Sequence, residues 1–219
     1  MDNWRNTPIF IVNYNNLTRG FQRLVEWLES AEMTNVTIVD NHSTWEPLLA
    51  YYKTVCEMKV LFMPENYGHE VFWKLGYHHF QTERFIVTDP DVVPAAGCPK
   101  DLVLKMHMVA DRYKPAKVGP GIRIDNLPDS YGLKDLMLRS ECRYWDEAAR
   151  MSPGDCFQAA IDTIFALYEP GANKWDGAHF RLDFPYVVEH VPWYIPSAED
   201  HAERDFYKAT AIPGMSHSQ

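Results

Sequence analysis

Short apolar runs alternate with longer amphipathic stretches through the first half of the chain. Continuous or nearly continuous apolar runs are typical of strands buried on both faces of a sheet. Four such runs lie at residues 9–12, 36–39, 60–62 and 85–87. Helical spacing of apolar residues, or a helix-capping residue, predicts helices at 18–31, 44–52 and 70–80. Strands that alternate with helices on short connections predict a parallel sheet with right-handed crossovers.

The second half of the chain shows shorter and more interrupted patterns. Residues 157–168 are mostly apolar and include one acid, Asp162, which this setting predicts to be buried. A strand predicted over 186–195 carries His190. The remaining predictions are helices at 99–113, 134–150 and 199–208, a short strand at 122–125, and a mobile tail at 213–219.

Each of the four strands predicted in the first half ends in a polar loop. The loops contain Asn13-Tyr14, Asp40-Asn41, Asn66-Tyr67 and Asp89-Pro90-Asp91. The carboxyl ends of parallel strands meet at one edge of a sheet, where open α/β folds bind their ligands. Turn propensity explains part of this pattern, because Asn and Asp favour loops. We favour a shared ligand site at this edge.

The loop after the fourth strand holds two acids on either side of a proline. Pro90 cannot donate a hydrogen bond to a sheet ladder, so the strand ends there and Asp89 and Asp91 lie in the loop. Two carboxylates with this spacing can share one hard cation, with substrate phosphates completing its coordination shell. The alternative is a surface turn, since Asp and Pro are common turn residues.

Composition is that of an ordinary globular protein. The chain has 219 residues, of which 46% are hydrophobic and 23% charged, and this length suits a single α/β domain. A formal net charge of −9 argues against nucleic-acid binding through a broad basic surface. Apolar runs all fall short of the ~20 residues of a membrane-spanning helix, so we expect no transmembrane segment.

The four cysteines are scattered along the sequence. They are Cys56, Cys98, Cys142 and Cys156, and no two have C-x-x-C spacing. This spacing favours neither a zinc site nor a disulfide framework in a chain of this size. We therefore predict reduced, mostly buried thiols and a cytoplasmic location.

Taken together, the four strand ends resemble those of nucleotide-sugar-dependent glycosyltransferases of the GT-A fold, most closely the family 2-like group. The segments that carry the resemblance are I-F-I-V-N-Y-N-N, V-T-I-V-D-N-H-S-T, P-E-N-Y-G and F-I-V-T-D-P-D. The resemblance implies a Rossmann-like, mostly parallel sheet sandwiched by helices, with a smaller mixed C-terminal part. It also implies one domain over 1–219, in which residues 1–95 bind the nucleotide sugar and residues 96–212 face the acceptor.

The resemblance assigns roles to four residues of the donor pocket. Asn13 and Tyr14 would line the pocket for the base and ribose. Asp40 would form a hydrogen bond with the base, and Asn66 would lie beside the nucleotide. The partners implied are a UDP-, GDP- or dTDP-linked sugar and a glycan or other acceptor with a hydroxyl group.

A divalent cation, Mn²⁺ or Mg²⁺, is the cofactor that the resemblance implies. Asp89 and Asp91 would hold it where it bridges the donor diphosphate, and Asp89 would also contact the ribose side. His190 would be a further ligand to the metal or phosphate, because several GT-A enzymes use a C-terminal histidine in this way. A structural histidine near a sheet edge is the alternative for His190.

The general base that deprotonates the acceptor has two candidates. Many family members carry it in a Glu-Asp pair, but the one such pair here, Glu199-Asp200, lies late in the chain. Asp176 fits the usual order along the chain. Asp162 fits its predicted burial, because a desolvated carboxylate has a raised pKa and is a better base near neutrality. The sequence leaves both open.

The implied function is a metal-dependent glycosyltransferase, with inversion at the sugar expected. A nucleotidyltransferase needs a Gly-rich loop after the first strand, where this chain has Asn13-Tyr14-Asn15-Asn16. A phosphatase with an aspartyl nucleophile places its D-x-D motif on the first strand, whereas the motif here follows the fourth. A dinucleotide oxidoreductase needs G-x-G-x-x-G after a strand, and none of the predicted strands is followed by it. A catalytically silent nucleotide-sugar-binding domain remains the alternative from another class.

Overall fold

The structure is a computed structural model that describes residues 3–55, 58–151, 154–162, 164–196 and 202–212. The strands are β1 (Ile9–Asn13), β2 (Val36–Asp40), β3 (Lys59–Phe62), β4 (Phe85–Thr88), β5 (Val92–Pro94), β6 (Lys117–Gly119), β7 (Gly121–Ile122), β8 (Cys156–Gln158), β9 (Ala166–Tyr168), β10 (His179–Leu182) and β11 (Val187–His190). The α-helices are α1 (Phe21–Ser30), α2 (Glu46–Tyr52), α3 (Val71–Lys74), α4 (Leu102–Tyr113), α5 (Lys134–Glu141) and α6 (Ala202–Thr210).

Eight of the strands form one sheet, in the order β3-β2-β1-β4-β9-β6-β10-β8. The first four strands of this order run parallel, and β9 enters antiparallel to both β4 and β6. A second sheet contains three strands in the order β5-β11-β7. The predicted α/β fold, with a mostly parallel sheet and a smaller mixed part, is confirmed.

The core explains why the apolar runs became strands. All residues of β2 and β4 are buried, as expected for central strands with both faces covered. Helix α1 contributes one apolar face, on which Phe21, Leu24 and Leu28 have no exposed surface. Burial of each such side chain contributes about 1.5–3 kcal/mol. The predicted strands and helices of the first half are therefore held by the same central core.

Several predicted elements are shorter than expected, and of the strand predicted over 122–125 only Ile122 belongs to a strand, β7. The helix predicted over 70–80 stops after α3, because Gly76 takes a left-handed conformation with φ of 70° and a 3₁₀ turn follows it. The helix predicted over 134–150 ends with α5 and continues as 3₁₀ turns. The strand predicted over 186–195 ends at His190, and Pro192 lies in the 3₁₀ turn that follows.

The prediction that Asp162 is buried was wrong. The run over 157–168 is not one element, because the chain leaves the sheet after β8 and returns to it at β9. In the loop between them, Ile161 and Phe165 turn inward with no exposed surface. The side chain of Asp162 points outward instead and is 68% exposed. The burial of a residue can be predicted from the apolar pattern around it only where the chain forms a regular helix or strand.

Other expectations meet the structure only in part. Cys98 and Cys156 are buried free thiols and Cys142 is an exposed one, while Cys56 lies outside the described residues. The tail predicted at 213–219 and the start of the helix predicted at 199–208 also lie outside them. Among the described residues, every helix is too short or too polar to cross a membrane.

Candidate active site

A cleft of about 500 Å³ lies at the carboxyl edge of the parallel strands. Each of the four polar loops contributes to its lining, through Tyr14, Asn41, Asn66, Asp89 and Asp91. The second half of the chain contributes Asp162, Lys174, Trp175, His190 and Tyr207. The predicted convergence of the four strand ends on one cleft is thus confirmed.

Two of the predicted donor-binding residues lie beneath the cleft wall. Asn13 is 0% exposed and Asp40 is 1% exposed, and neither lines the cleft. The two carboxylate oxygens of Asp40 accept hydrogen bonds from the Ser43 backbone N–H at 2.8 Å and the Tyr52 hydroxyl at 2.8 Å. Asn13 donates to the same hydroxyl at 3.0 Å. These contacts hold the ends of β1 and β2 together, and a contact of either residue with a nucleobase stays a prediction.

Asn41, which the sequence analysis did not single out as a site residue, joins two of the lining loops. Its amide nitrogen donates to Oδ1 of Asn66 at 2.8 Å and to the carbonyl of Gly68 at 3.0 Å. Its Oδ1 accepts from the backbone N–H of Tyr67 at 2.9 Å. This network fixes Asn66 in the wall of the cleft. The position of Asn41 next to Asp40 at a strand end was the one signal in the sequence.

The second sheet brings His190 to the Asp-Pro-Asp loop. In the antiparallel pair of β5 and β11, His190 lies opposite Val92, and the Val191 N–H donates to the Asp91 carbonyl at 2.9 Å. Nε2 of His190 lies 3.8 Å from Oδ2 of Asp91. Burial lowers the pKa of His190, and the nearby Asp91 carboxylate opposes this shift. The imidazole is therefore neutral at pH 7 and retains a nitrogen lone pair.

This pair of residues fits one side of a divalent cation. In octahedral coordination with bonds of about 2.1 Å, adjacent ligand atoms lie about 3.0 Å apart. Oδ2 of Asp91 and Nε2 of His190 are 3.8 Å apart, so the two side chains would have to move slightly closer together to bind one cation as neighbours. Within the described part of the chain, no three His, Cys, Asp or Glu side chains converge closely enough to bind a metal by themselves. A cation bound by this pair would have to take its remaining ligands from a bound molecule or from water.

Gly20 makes room for the Asp-Pro-Asp loop, so replacement of Gly20 by alanine is expected to destabilise the protein. A Cβ atom there would lie 2.4 Å from the Cα of Asp91 and 2.9 Å from the carbonyl oxygen of Pro90, and φ is +150°. We expect a loss of roughly 1–3 kcal/mol in unfolding free energy, measured by thermal or chemical denaturation. Gly132→Ala is the control, because its Cβ would meet nothing within 4 Å. Equal stability of the two variants would contradict this prediction.

Also in the lining of the cleft, a buried lysine contacts two carboxylates. The side chain of Lys174 is 5% exposed, and its Nζ lies 3.1 Å from Oδ1 of Asp162 and 3.4 Å from Oε1 of Glu70. Asp162 lines the cleft, whereas Asp176 does not. Oδ2 of Asp176 accepts from the Asn173 backbone N–H at 2.8 Å, inside the loop between β9 and β10. The structure thus brings one of the two candidate bases to the cleft.

A second buried lysine, Lys117, binds the backbone of Lys174. It is 1% exposed, and its Nζ donates to the carbonyl of Lys174 at 2.7 Å. The ring of Trp175 lies 5.1 Å from the same ammonium. Burial lowers the pKa of Lys117 from 10.5 to about 8. A second cation thus lies behind the wall of the cleft.

Replacement of Lys117 by methionine is expected to stabilise the protein in a pH-dependent way. Because the folded pKa of about 8 lies below the unfolded value of 10.5, the buried ammonium carries its full cost of roughly 3 kcal/mol below pH 8. This cost disappears as the pH rises from 8 to 10.5. The lost hydrogen bond to Lys174 offsets about 1 kcal/mol of the gain. Chemical denaturation across this pH range should show the difference between variant and wild type shrinking.

Lys114→Met is the matched control for this pH series, because the Lys114 side chain is 73% exposed. Its difference from the wild type should stay small and flat across the same pH range. A Lys117→Met difference that is equally flat would contradict the assigned cause.

Comparison with known proteins supports the fold. No family model and no curated protein sequence matches the chain. S. aureus TarS, solved in complex with UDP-GlcNAc, is similar with a TM-score of 0.51 and 13% identity, over 93% of this chain and 64% of TarS residues 1–349. The mannosyltransferase PcManGT from Pyrobaculum calidifontis, solved with GDP-Man and Mn²⁺, is similar with a TM-score of 0.56 and 14% identity, over 96% of this chain and 66% of that protein.

These similarities confirm the GT-A fold predicted from the four strand ends. This chain spans less than two thirds of either solved protein.

Proposed function

We propose that this chain is a glycosyltransferase that transfers a sugar from a nucleoside diphosphate sugar to an acceptor hydroxyl. The observation that carries the proposal is that one cleft is lined by both the Asp91–His190 pair and the Asp162–Lys174 pair. The complexes of TarS with UDP-GlcNAc and of PcManGT with GDP-Man and Mn²⁺ support the same assignment. Both place a nucleotide sugar on the fold that this chain has.

The donor half of the site is built around the Asp-Pro-Asp loop. Asp91 and His190 would hold Mn²⁺ or Mg²⁺ beside the donor diphosphate, and Asp89, which lines the same cleft, would lie on the ribose side. When bound, the cation neutralises the negative charge that develops on the departing nucleoside diphosphate. Tyr14 and Asn66, on the neighbouring loops, take the base and ribose side.

We assign the role of general base to Asp162. The acceptor oxygen attacks the anomeric carbon, the bond from that carbon to the diphosphate oxygen breaks, and the hydroxyl proton passes to the Asp162 carboxylate. Attack from the face opposite the leaving group inverts the anomeric centre. Lys174 contacts Asp162 at 3.1 Å and orients the carboxylate toward the cleft. We therefore choose Asp162 as the base because it lines the cleft, and not because it is buried.

A donor screen tests the proposed function. The full chain is incubated with UDP-, GDP- and dTDP-linked sugars, each with Mn²⁺, with Mg²⁺ and with EDTA, and release of the nucleoside diphosphate is measured with and without added sugar acceptors. We expect one nucleotide class to be bound and consumed in the presence of metal. A donor that binds but is never hydrolysed or transferred would instead identify a silent binding domain. Absence of binding to every donor would overturn the proposal.

A further inference from the structure

Arg19 carries a buried charge that the protein does not neutralise. The residue is 9% exposed, and its Nε is buried without a hydrogen-bond partner. In the described parts of the chain, the guanidinium of Arg19 forms no ion pair. Burial of an unpaired charge is expensive, so such groups are retained where a ligand or partner supplies the opposite charge. Because Arg19 lines the cleft, that charge can come from a ligand bound there.

Helix α6 contributes a phenol group to the same cleft, that of Tyr207. Burial raises the pKa of its hydroxyl, the Asp91 carboxylate raises it further, and Arg19 lowers it. The hydroxyl therefore lies within electrostatic reach of both Asp91 and Arg19 and stays protonated near neutral pH. A protonated phenol is a hydrogen-bond donor for an anion.

The backbone that carries Arg19 is fixed by the same helix. Glu203 is 3% exposed, and its carboxylate accepts from the backbone N–H groups of Leu17 at 2.9 Å, Thr18 at 2.8 Å and Arg19 at 3.3 Å. Glu203 and Tyr207 are four residues apart on α6 and so share one face of it. One helix face thus holds the loop and presents Tyr207 to the cleft that Arg19 lines. The arrangement is preorganised before any ligand binds.

We propose that Arg19 and Tyr207 form an anion subsite that binds a phosphate of the donor diphosphate without the help of a divalent cation. The proposal rests on the proposed function, because it identifies the ligand as a nucleoside diphosphate. A guanidinium presents a fork of donors that matches two phosphate oxygens, and the phenol adds a third donor. A metal held by Asp91 and His190 would then share with the guanidinium of Arg19 the neutralisation of one diphosphate.

Pyrophosphate binding in EDTA tests the subsite directly. The full chain is titrated with inorganic pyrophosphate by calorimetry, with EDTA removing divalent cations. Arg19→Gln is expected to weaken binding about tenfold to a hundredfold, and Tyr207→Phe about threefold to tenfold. Arg23→Gln is the matched control, since Arg23 lies on α1, four residues after Arg19, and pairs with Glu189 at 3.5 Å. The control should bind pyrophosphate like the wild type.

Thermal unfolding gives a second, independent measurement. Without ligand, Arg19→Gln should melt no lower than the wild type, because the variant removes an unpaired buried charge. At the same pyrophosphate concentration, the wild type should gain more thermal stability than the variant. A lower melting temperature of the variant without ligand would overturn the claim that the charge is unpaired.

The results also separate this inference from the proposed function. Equal pyrophosphate affinity of wild type and Arg19→Gln, or no binding by the wild type in EDTA, would overturn the subsite even if nucleotide sugars are consumed. Binding that depends on Arg19 supports the subsite, and a failure to consume any nucleotide sugar would then overturn the transferase activity alone.

Discussion

Replacement of Asp162 by asparagine is expected to lower the rate of sugar transfer by a factor of about 10² to 10⁴ while the donor still binds. Asparagine keeps the shape of the side chain but cannot take the proton of the acceptor hydroxyl. Lys174 retains Glu70, at 3.4 Å, as an ionic partner, so the wall of the cleft should persist in the variant. The rate is measured as release of nucleoside diphosphate, and donor binding is measured by calorimetry.

Asp176→Asn makes the same chemical change outside the cleft and serves as its control. The Asp176 carboxylate caps its own loop through the Asn173 N–H, so the variant should transfer sugar at a rate close to the wild type. Loss of transfer in Asp176→Asn with full activity in Asp162→Asn would reverse the assignment. Full activity in both variants would show that neither residue is the base.

Asp91→Ala is expected to abolish the metal-dependent part of donor binding. Loss of a contact with a charged group costs about 1.5–3 kcal/mol, so the affinity for the nucleoside diphosphate with Mn²⁺ should fall by roughly tenfold to a hundredfold. The fold should survive, because the hydrogen bond between the Asp91 carbonyl and the Val191 N–H is made by backbone atoms. Calorimetric titration with Mn²⁺ and with EDTA measures the metal-dependent and the metal-independent parts of donor binding separately.

Asp129→Ala is the control for this experiment, since the Asp129 side chain is 98% exposed and pairs with Lys134 away from the cleft. Its donor affinity should match the wild type in both conditions. Unchanged binding of every nucleoside diphosphate by Asp91→Ala in the presence of Mn²⁺ would remove Asp91 from the metal site. Binding in EDTA should be the same in Asp91→Ala and the wild type, because Arg19 and Tyr207 are intact in both.

The sheet and the position of the cleft could be predicted from the first half of the sequence. Central strands such as β2 and β4 are buried on both faces, so their apolar runs are continuous and easily recognised. Parallel pairing then forces their polar ends to one edge. The pairs Asp89-Asp91 and Tyr14-Asn66 reached the cleft for this reason. Asn13 and Asp40 did not, because their side chains turn under the wall and are engaged by Tyr52.

The rest of the site depends on contacts between residues that are far apart in the sequence. Lys174 and Arg19 look like ordinary surface cations in the sequence, and only tertiary packing buries them at 4% and 9% exposure. Asp162 was predicted to be buried because its neighbours are apolar. It lies in an irregular loop, where side chains do not alternate regularly, so the sequence pattern does not predict the direction of its side chain. The local sequence pattern therefore predicted the loops after the first four strands well, and the other residues that line the cleft poorly.

The contacts between helix α6 and the loop after β1 affect the stage of protein synthesis at which the cleft can form. Tyr14 donates to the carbonyl of Thr210 at 2.6 Å, and Glu203 binds the backbone of Leu17 and Thr18. A ribosome makes β1 and its loop early, but their partner residues emerge only when α6 has been translated. A nascent chain that lacks α6 can pair its first strands, but the backbone N–H groups of Leu17 and Thr18 then lack their carboxylate partner. The lining of the cleft near Arg19 is therefore complete only after α6 has left the ribosome and packed against this loop.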